Sequence, residues 1–273
     1  METREFIVGV RFLDVDMPAP ELHAFPGGHV GVFSSRCPDV EGANEDAAAI
    51  IPVNDGGGVL VLADGMSGAA AGQQASRLAM AEMEKAVEAT DEGEQLLRTA
   101  IINGFENANQ AVKDLGIGAA TTMAAVEIQG NEIRPYHVGD TVIMITGGRG
   151  KVKHVSIAHS PIGYAIEAGL LDELEAMYHE DRHIVSNVIG SQEMHIQIGP
   201  TMSLAPRDTL LLASDGLFDN LHLTEIIDVL YKGPLLKSLK HLADFSKDRM
   251  VNAAEGQPSK PDDMTILTFR QDH

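Results

Sequence analysis

Gly56-Gly57-Gly58-Val59-Leu60-Val61-Leu62-Ala63-Asp64-Gly65-Met66-Ser67-Gly68 reads as a buried strand that ends in an acid and a glycine turn. Val59 to Ala63 is apolar at every position, which suits a strand covered on both faces. Gly65 lets the backbone turn sharply and leaves its carbonyl accessible. A carboxylate at the end of a rigid strand cannot drift, so Asp64 is a candidate metal ligand and the expected starting point of the chemistry. Strand-Asp-Gly turns are also ordinary strand exits, and the neighbouring segments have to separate the two readings.

Upstream, Asn44-Glu45-Asp46 opens the apolar stretch Ala47 to Val53, which the glycine turn joins to Val59–Ala63 as a hairpin-like pair. Glu45 and Asp64 then come to neighbouring strand ends if the register allows it. Glu5 to Leu13 and His29 to Ser34 read as strands, separated by a turn carrying Pro18, Pro20, Pro26, Gly27 and Gly28. Downstream, Ser67 to Ala89 reads as a helix. A second runs from about Asp91 to Leu115, with Leu97, Ile101, Phe105, Ala108, Val112 and Leu115 on one stripe. Strands return over Thr121–Ile128, Ile133–Val138, Val142–Thr146 and Val152–Ser156, an antiparallel meander interrupted at Asp140. Residues 159–192, with a short helical stretch near Leu170 to Tyr178, read as a flap-like insertion in a single domain spanning 1–273. Strands over Met194–Ile198, Thr209–Ser214 and Met264–Phe269 and helices over Leu223–Tyr231 and Leu235–Asn252 complete the chain.

Composition limits the function classes. With 273 residues, 44% hydrophobic and 22% charged, the chain can bury a full core, and no apolar run is long enough for a bilayer. A net charge of −20 argues against nucleic-acid phosphate and against anionic membrane as partners. Cys37 is the only cysteine, which excludes an intramolecular disulfide and fits a reducing cytoplasm. The first twenty residues hold no apolar signal core, so secretion is not expected.

Most of the excess acid belongs on solvated helix faces, but a few acids stand beside apolar strands, where an unpaired carboxylate is costly to bury. Leu62-Ala63-Asp64-Gly65, Leu211-Leu212-Ala213-Ser214-Asp215-Gly216 and Pro261-Asp262-Asp263 before Met264 share this design, and Asp140 after Gly139 makes a fourth case. Carboxylates converging at one sheet edge repel strongly, and divalent cations neutralise them economically. An all-oxygen set favours Mg²⁺ or Mn²⁺ over Zn²⁺.

Asn44-Glu45-Asp46, Ala63-Asp64-Gly65-Met66-Ser67-Gly68, Gly118-Ala119-Ala120-Thr121-Thr122, His137-Val138-Gly139-Asp140, Ala213-Ser214-Asp215-Gly216-Leu217-Phe218-Asp219 and Asp262-Asp263-Met264-Thr265 follow one another in an order that resembles the metal-dependent 2C-type protein serine/threonine phosphatases, in particular their bacterial branch. The resemblance covers roughly residues 29 to 270. It implies an α+β fold, a four-layer α-β-β-α sandwich of two packed antiparallel sheets flanked by helix pairs. It implies that Asp64 bridges two Mn²⁺ or Mg²⁺ ions, that Glu45 and the Gly65 carbonyl hold one of them, and that Asp215 and Asp262 hold the other. Asp140 with Asp215 would make a weaker third site, and Asp46 would orient metal-bound water. The implied reaction is direct attack of a metal-bridging hydroxide on phosphoserine or phosphothreonine of a protein substrate.

Three positions depart from the family pattern. Glu41 stands where an Arg usually grips the substrate phosphate, and Arg36, five residues further back, is the candidate to replace it. Met66 follows Asp-Gly where many eukaryotic members have His, and Asp263 replaces the usual Asn. These departures support a rival reading, a catalytically weak or inactive phosphatase fold used as a regulatory or binding module. A second rival is a zinc peptidase acting through His179, Glu180 and His183, which match His-Glu-x-x-His. Against it, the intervening Asp181 and Arg182 are charged and the extended form with Gly and a third His is missing.

Overall fold

The run that opens the sequence reading lies in the middle of an antiparallel sheet. The computed structural model describes residues 8–38, 41–53, 56–66, 71–92 and 96–272. The first sheet holds β1 (Val10–Leu13), β4 (Ala47–Val53), β5 (Gly57–Ala63), β6 (Met123–Gln129), β7 (Glu132–Val138) and β10 (Gln197–Ile198) in that order, with β11 (Met202–Ser203) also paired to β7. The second holds β2 (Glu21–Phe25), β3 (Gly28–Ser35), β13 (Met264–Gln271), β12 (Thr209–Ala213), β8 (Val142–Thr146) and β9 (Val152–Val155).

Side-chain alternation explains why the first sheet is covered on both faces. Ala48, Ile50, Leu60, Leu62 and Val126 pack in one core with Val32, Ile143 and Leu212 of the second sheet. Their neighbours Ala47, Ala49, Val59, Val61 and Ala63 point the other way, against Met80, Met83, Ile101 and Phe105 of α1 (Gly72–Glu88) and α2 (Leu97–Asp114). On the far side, α7 (Leu235–Asn252) packs on β3 and β13, with α6 (Leu223–Leu230) against it. The four layers are those the resemblance implies.

Several details differ from the sequence reading. The Pro- and Gly-bearing turn contains a strand, β2, which is an edge strand with mostly exposed side chains and therefore shows no apolar period. The presumed meander is split: β6 and β7 lie in the first sheet and β8 and β9 in the second. The Gly139-Asp140 turn is the crossover, and Gly139 takes φ +108°, which other residues rarely adopt. Three short helices went unread or were placed loosely: α3 (Pro161–Glu167), α4 (Glu173–Met177) and α5 (Asp215–Phe218). Met194–Ile198 pairs only over its last two residues. Parts of the first strand and of the first two helices, at 1–7, 67–70 and 93–95, lie outside the described residues. Among the described residues no helix is long and apolar enough to cross a membrane.

Candidate metal centre and active site

Strand register brings the acids to one end of the sandwich. Ala47 pairs with Ala63 in the first sheet, so β4 begins where β5 ends, with Asp46 and Asp64 adjoining that shared end. In the second sheet Ala213 pairs with both Val142 and Ile266, so β8 begins, β12 ends and β13 begins at the same level. Asp140, Asp215 and Asp262 adjoin those three strand ends. The sheets meet there through Ser214, whose Oγ donates to Asp46 Oδ2 at 2.8 Å and accepts from the Thr265 amide at 3.0 Å.

Each acid is held by its neighbours. Asn44 Oδ1 accepts from the Asp46 amide at 2.9 Å, while Asn44 Nδ2 donates to Ser34 Oγ at 3.0 Å and to the Val15 carbonyl at 2.8 Å. The Asp64 amide donates to Thr122 Oγ1 at 3.2 Å, and its carbonyl accepts from Thr121 Oγ1 at 2.7 Å and from the Thr122 amide at 2.9 Å. Gly65 is packed so closely that an added Cβ would lie 2.5 Å from the Gly72 carbonyl oxygen and 2.7 Å from that of Glu45. Glu45 Oε2 lies against Gly72, so the Glu45 carboxylate and the Gly65 backbone meet at the start of α1.

The departure at 263 has a structural reason. Asp263 Oδ1 accepts from the Cys37 amide at 2.7 Å and Oδ2 from the Glu45 amide at 2.6 Å. An asparagine presents one acceptor, whereas the carboxylate clamps both ends of the 37–45 loop. Arg36, just before that loop, is exposed and pairs with Asp16 at 3.2 Å. It lines a cavity of about 480 Å³ with Cys37, Glu41 and Lys247. Glu41 therefore shares a cavity with Arg36 and Lys247.

Burial and mutual repulsion dominate the electrostatics. Burial pushes the Asp64 carboxyl well up, and Asp46, Asp215, Asp140 and Asp262 add to the effect. Asp46, only 2% exposed, is raised well up by burial despite the nearby Thr265 and Ser214 hydroxyls, which lower it, with Asp263 and Asp215 adding to the rise. Burial, then repulsion from Asp215, lifts Asp140 to about 7 and Asp262 to about 6. Lys260 answers this charge, with its ammonium against Asp215, Asp219 and Asp262. Burial alone would lower the lysine, but the surrounding carboxylates raise it above its ordinary value.

Divalent cations suit this donor chemistry. Asp46 Oδ1 is buried with no hydrogen-bond partner, which marks it as awaiting a positive or proton-donating group. The other donors are carboxylate and carbonyl oxygens, the set that hard cations take. Among the described residues no three acids, imidazoles or thiols already stand as an ion cage, and the acids around Asp215 contact Lys260 instead. Sequence reasoning missed Lys260, Asp219, Ser214 and Thr265 as parts of this site. Asp219 lies within a quoted motif, but Lys260 carries no signal beyond standing two residues before Asp262.

The His179 to His183 segment does not form a two-histidine site. The preceding helix α4 ends at Met177 and the segment itself forms turns, so the two histidines do not share a helix face. His179 Nδ1 accepts from the Asp181 amide at 3.1 Å, and His183 is exposed. This removes the geometry that the peptidase reading needs.

The architecture is thus a two-sheet sandwich between helix pairs, with acids of both sheets gathered at one end. The chain belongs to the protein phosphatase 2C family, whose profile matches residues 39–254. It is 31% identical over 198 residues to protein phosphatase PhpP of Streptococcus pneumoniae, covering 70% of this chain and 80% of that protein. In structure it is similar to the S. agalactiae serine/threonine phosphatase, with a TM-score of 0.76, 26% identity, and coverage of 89% of this chain and 99% of that one. It also shares the fold of the catalytic domain of the phosphatase PstP in complex with two manganese ions, with a TM-score of 0.67, 23% identity, and coverage of 88% and 96%.

Proposed function

We propose that this chain is a metal-dependent phosphatase that hydrolyses phosphoserine and phosphothreonine of proteins. The observation that carries the reading is Asp46 Oδ1, buried without a partner beside Asp64 and the acids of the second sheet. Membership of the protein phosphatase 2C family and the presence of Glu45, Asp64, Asp215 and Asp262 support an enzyme over an inactive module.

Glu45, Asp64 and the Gly65 carbonyl would hold one Mn²⁺ or Mg²⁺, and Asp64, Asp215 and Asp262 a second, with Asp140 and Asp215 available for a third. Such ions supply an activated water at neutral pH and neutralise charge on the phosphoryl group. Asp46 contributes orientation: Ser214 fixes one of its carboxylate oxygens and leaves the other to accept from the attacking water. Arg36 grips the substrate phosphate in place of the family's usual arginine, as its cavity with Lys247 supports. Residues 159–192 act as a flap beside the site, supported by His159, whose amide donates to the Gly139 carbonyl at 3.0 Å and whose Nδ1 accepts from the Gly139 amide at 3.1 Å. A single cysteine is compatible with action in a reducing cytoplasm.

The test is hydrolysis of p-nitrophenyl phosphate and of a phosphothreonine peptide with Mn²⁺ and with EDTA. Activity that needs the metal and disappears in Asp64→Asn and Asp215→Asn supports the reading. A silent native chain with saturating Mn²⁺ refutes it.

A further inference from the structure

One cation is already built into the acid cluster. Lys260 Nζ lies 2.5 Å from Asp215 Oδ2, 3.1 Å from Asp219 Oδ2 and 3.1 Å from Asp262 Oδ2. These carboxylates come from α5 and its C-terminal end and from the segment leading into β13, so the lysine bridges two parts of the site. Its backbone is fixed in both directions by one side chain. The Lys260 amide donates to Asn220 Oδ1 at 2.8 Å, and its carbonyl accepts from Asn220 Nδ2 at 2.8 Å. Asn220 is fully buried and also donates to the Gly216 carbonyl at 2.9 Å. On either side of the lysine, Ser259 Oγ donates to the Arg249 carbonyl at 3.0 Å, and Pro261 locks its own φ. The ammonium is aimed by this scaffold rather than by chance of a long surface side chain.

Asp215 and Asp262 are also the acids assigned above to the second divalent ion. An ammonium within 3.1 Å of both competes with a divalent ion for the same oxygens, since like charges at that separation repel strongly in a partly buried site. The side chain is 26% exposed, so its stem has a route toward solvent without unfolding the segment.

We propose that Lys260 is a tethered cation that competes with the second divalent ion for Asp215 and Asp262. That ion binds only as the Lys260 ammonium turns out. Lys260 thus sets the metal concentration at which the centre completes, and it neutralises the Asp215 cluster below that concentration. The proposal rests on the metal-dependent reading of the site.

Isothermal calorimetry of Mn²⁺ binding tests it on the full chain. Lys260→Met is expected to strengthen Mn²⁺ binding at one site by at least about tenfold, through loss of the competing charge, and Lys260→Arg, which keeps the charge, to bind Mn²⁺ as the native chain does. Mn²⁺ affinities unchanged in Lys260→Met overturn the proposal while leaving the metal reading intact. Absence of binding heat in all three chains overturns the metal reading and the proposal with it. A measurement on the native chain covers the case in which the Met variant does not fold. Acetylation of Lys260 by an N-hydroxysuccinimide ester, followed by mass spectrometry, is expected to rise severalfold on saturation with Mg²⁺. An acetylation rate unmoved by saturating Mg²⁺ contradicts displacement.

Discussion

Replacing Asp140 with Asn should stabilise the metal-free protein, and more so as pH rises. Asp140 stands at the crossover between the sheets, where burial and then repulsion from Asp215 and Asp219 lift its carboxyl from 3.8 to about 7, against a smaller pull from Lys260. In the unfolded chain it returns to the ordinary value, so folding is penalised once the group must ionise in the folded state. The neutral carboxyl contributes its full stability below the unfolded value and loses it as pH climbs through about 7. The shift of roughly 3 pH units, at 1.36 kcal/mol each, corresponds to a penalty of about 4 kcal/mol at pH 8 and about 2 kcal/mol at pH 5. Asn keeps the shape and removes the charge. Because Asp215 and Asp219 share the titration, an advantage of about 2–4 kcal/mol is expected for Asp140→Asn at pH 8. The assay is urea unfolding in EDTA at both pH values, with equal m-values for native and variant chains as the check on comparability. An advantage that is the same at pH 5 and pH 8, or a variant less stable than the native chain at pH 8, would refute the reasoning. Adding Mg²⁺ at pH 8 should narrow the gap, since cations relieve the same repulsion.

Other outcomes follow from single contacts. Arg36→Ala should raise KM for a phosphopeptide more than it lowers kcat, because a phosphate grip acts mainly in ground-state binding; unchanged steady-state kinetics would remove Arg36 from the site. Asp263→Asn should cost about 1–3 kcal/mol in denaturant unfolding, because one of the two amides clamped by the carboxylate is left facing a donor; no loss would show that the 37–45 loop is held by other contacts. Arg249→Met should cost about 1–3 kcal/mol, since Arg249 is 3% exposed and its loss removes the guanidinium 3.0 Å from the part-exposed Glu225 carboxylate, which keeps only the His222 amide; no measurable cost would mean that water takes over the pairing.

The central strands were legible because residues covered on both faces read as unbroken apolar runs, as Val59 to Ala63 does. The edge strand β2 was not, because an exposed edge leaves no period in the sequence. The candidate acids were picked out by a rule about strand ends together with motif order, and the register places Asp46 and Asp64 at one end of paired strands. The crossover at Gly139-Asp140 was misread as an interruption in one sheet, since a hairpin and a jump between sheets present the same pair of apolar strands around a glycine.

The sequence by itself determined which segments are the central strands, which acids stand at their ends and which family pattern they follow, because these properties rest on local periodicity and on spacing along the chain. Only the tertiary structure decided what surrounds those acids. Asp46 is held by Ser214, 168 residues away; the Asp215 charge is met by Lys260, 45 residues away; and the Asp263 clamp on Glu45 spans 218 residues. Hydrogen bonds and Coulomb forces act over a few ångströms of space and have no memory of chain separation, so the partners of a buried charge are set by the packing of the two sheets.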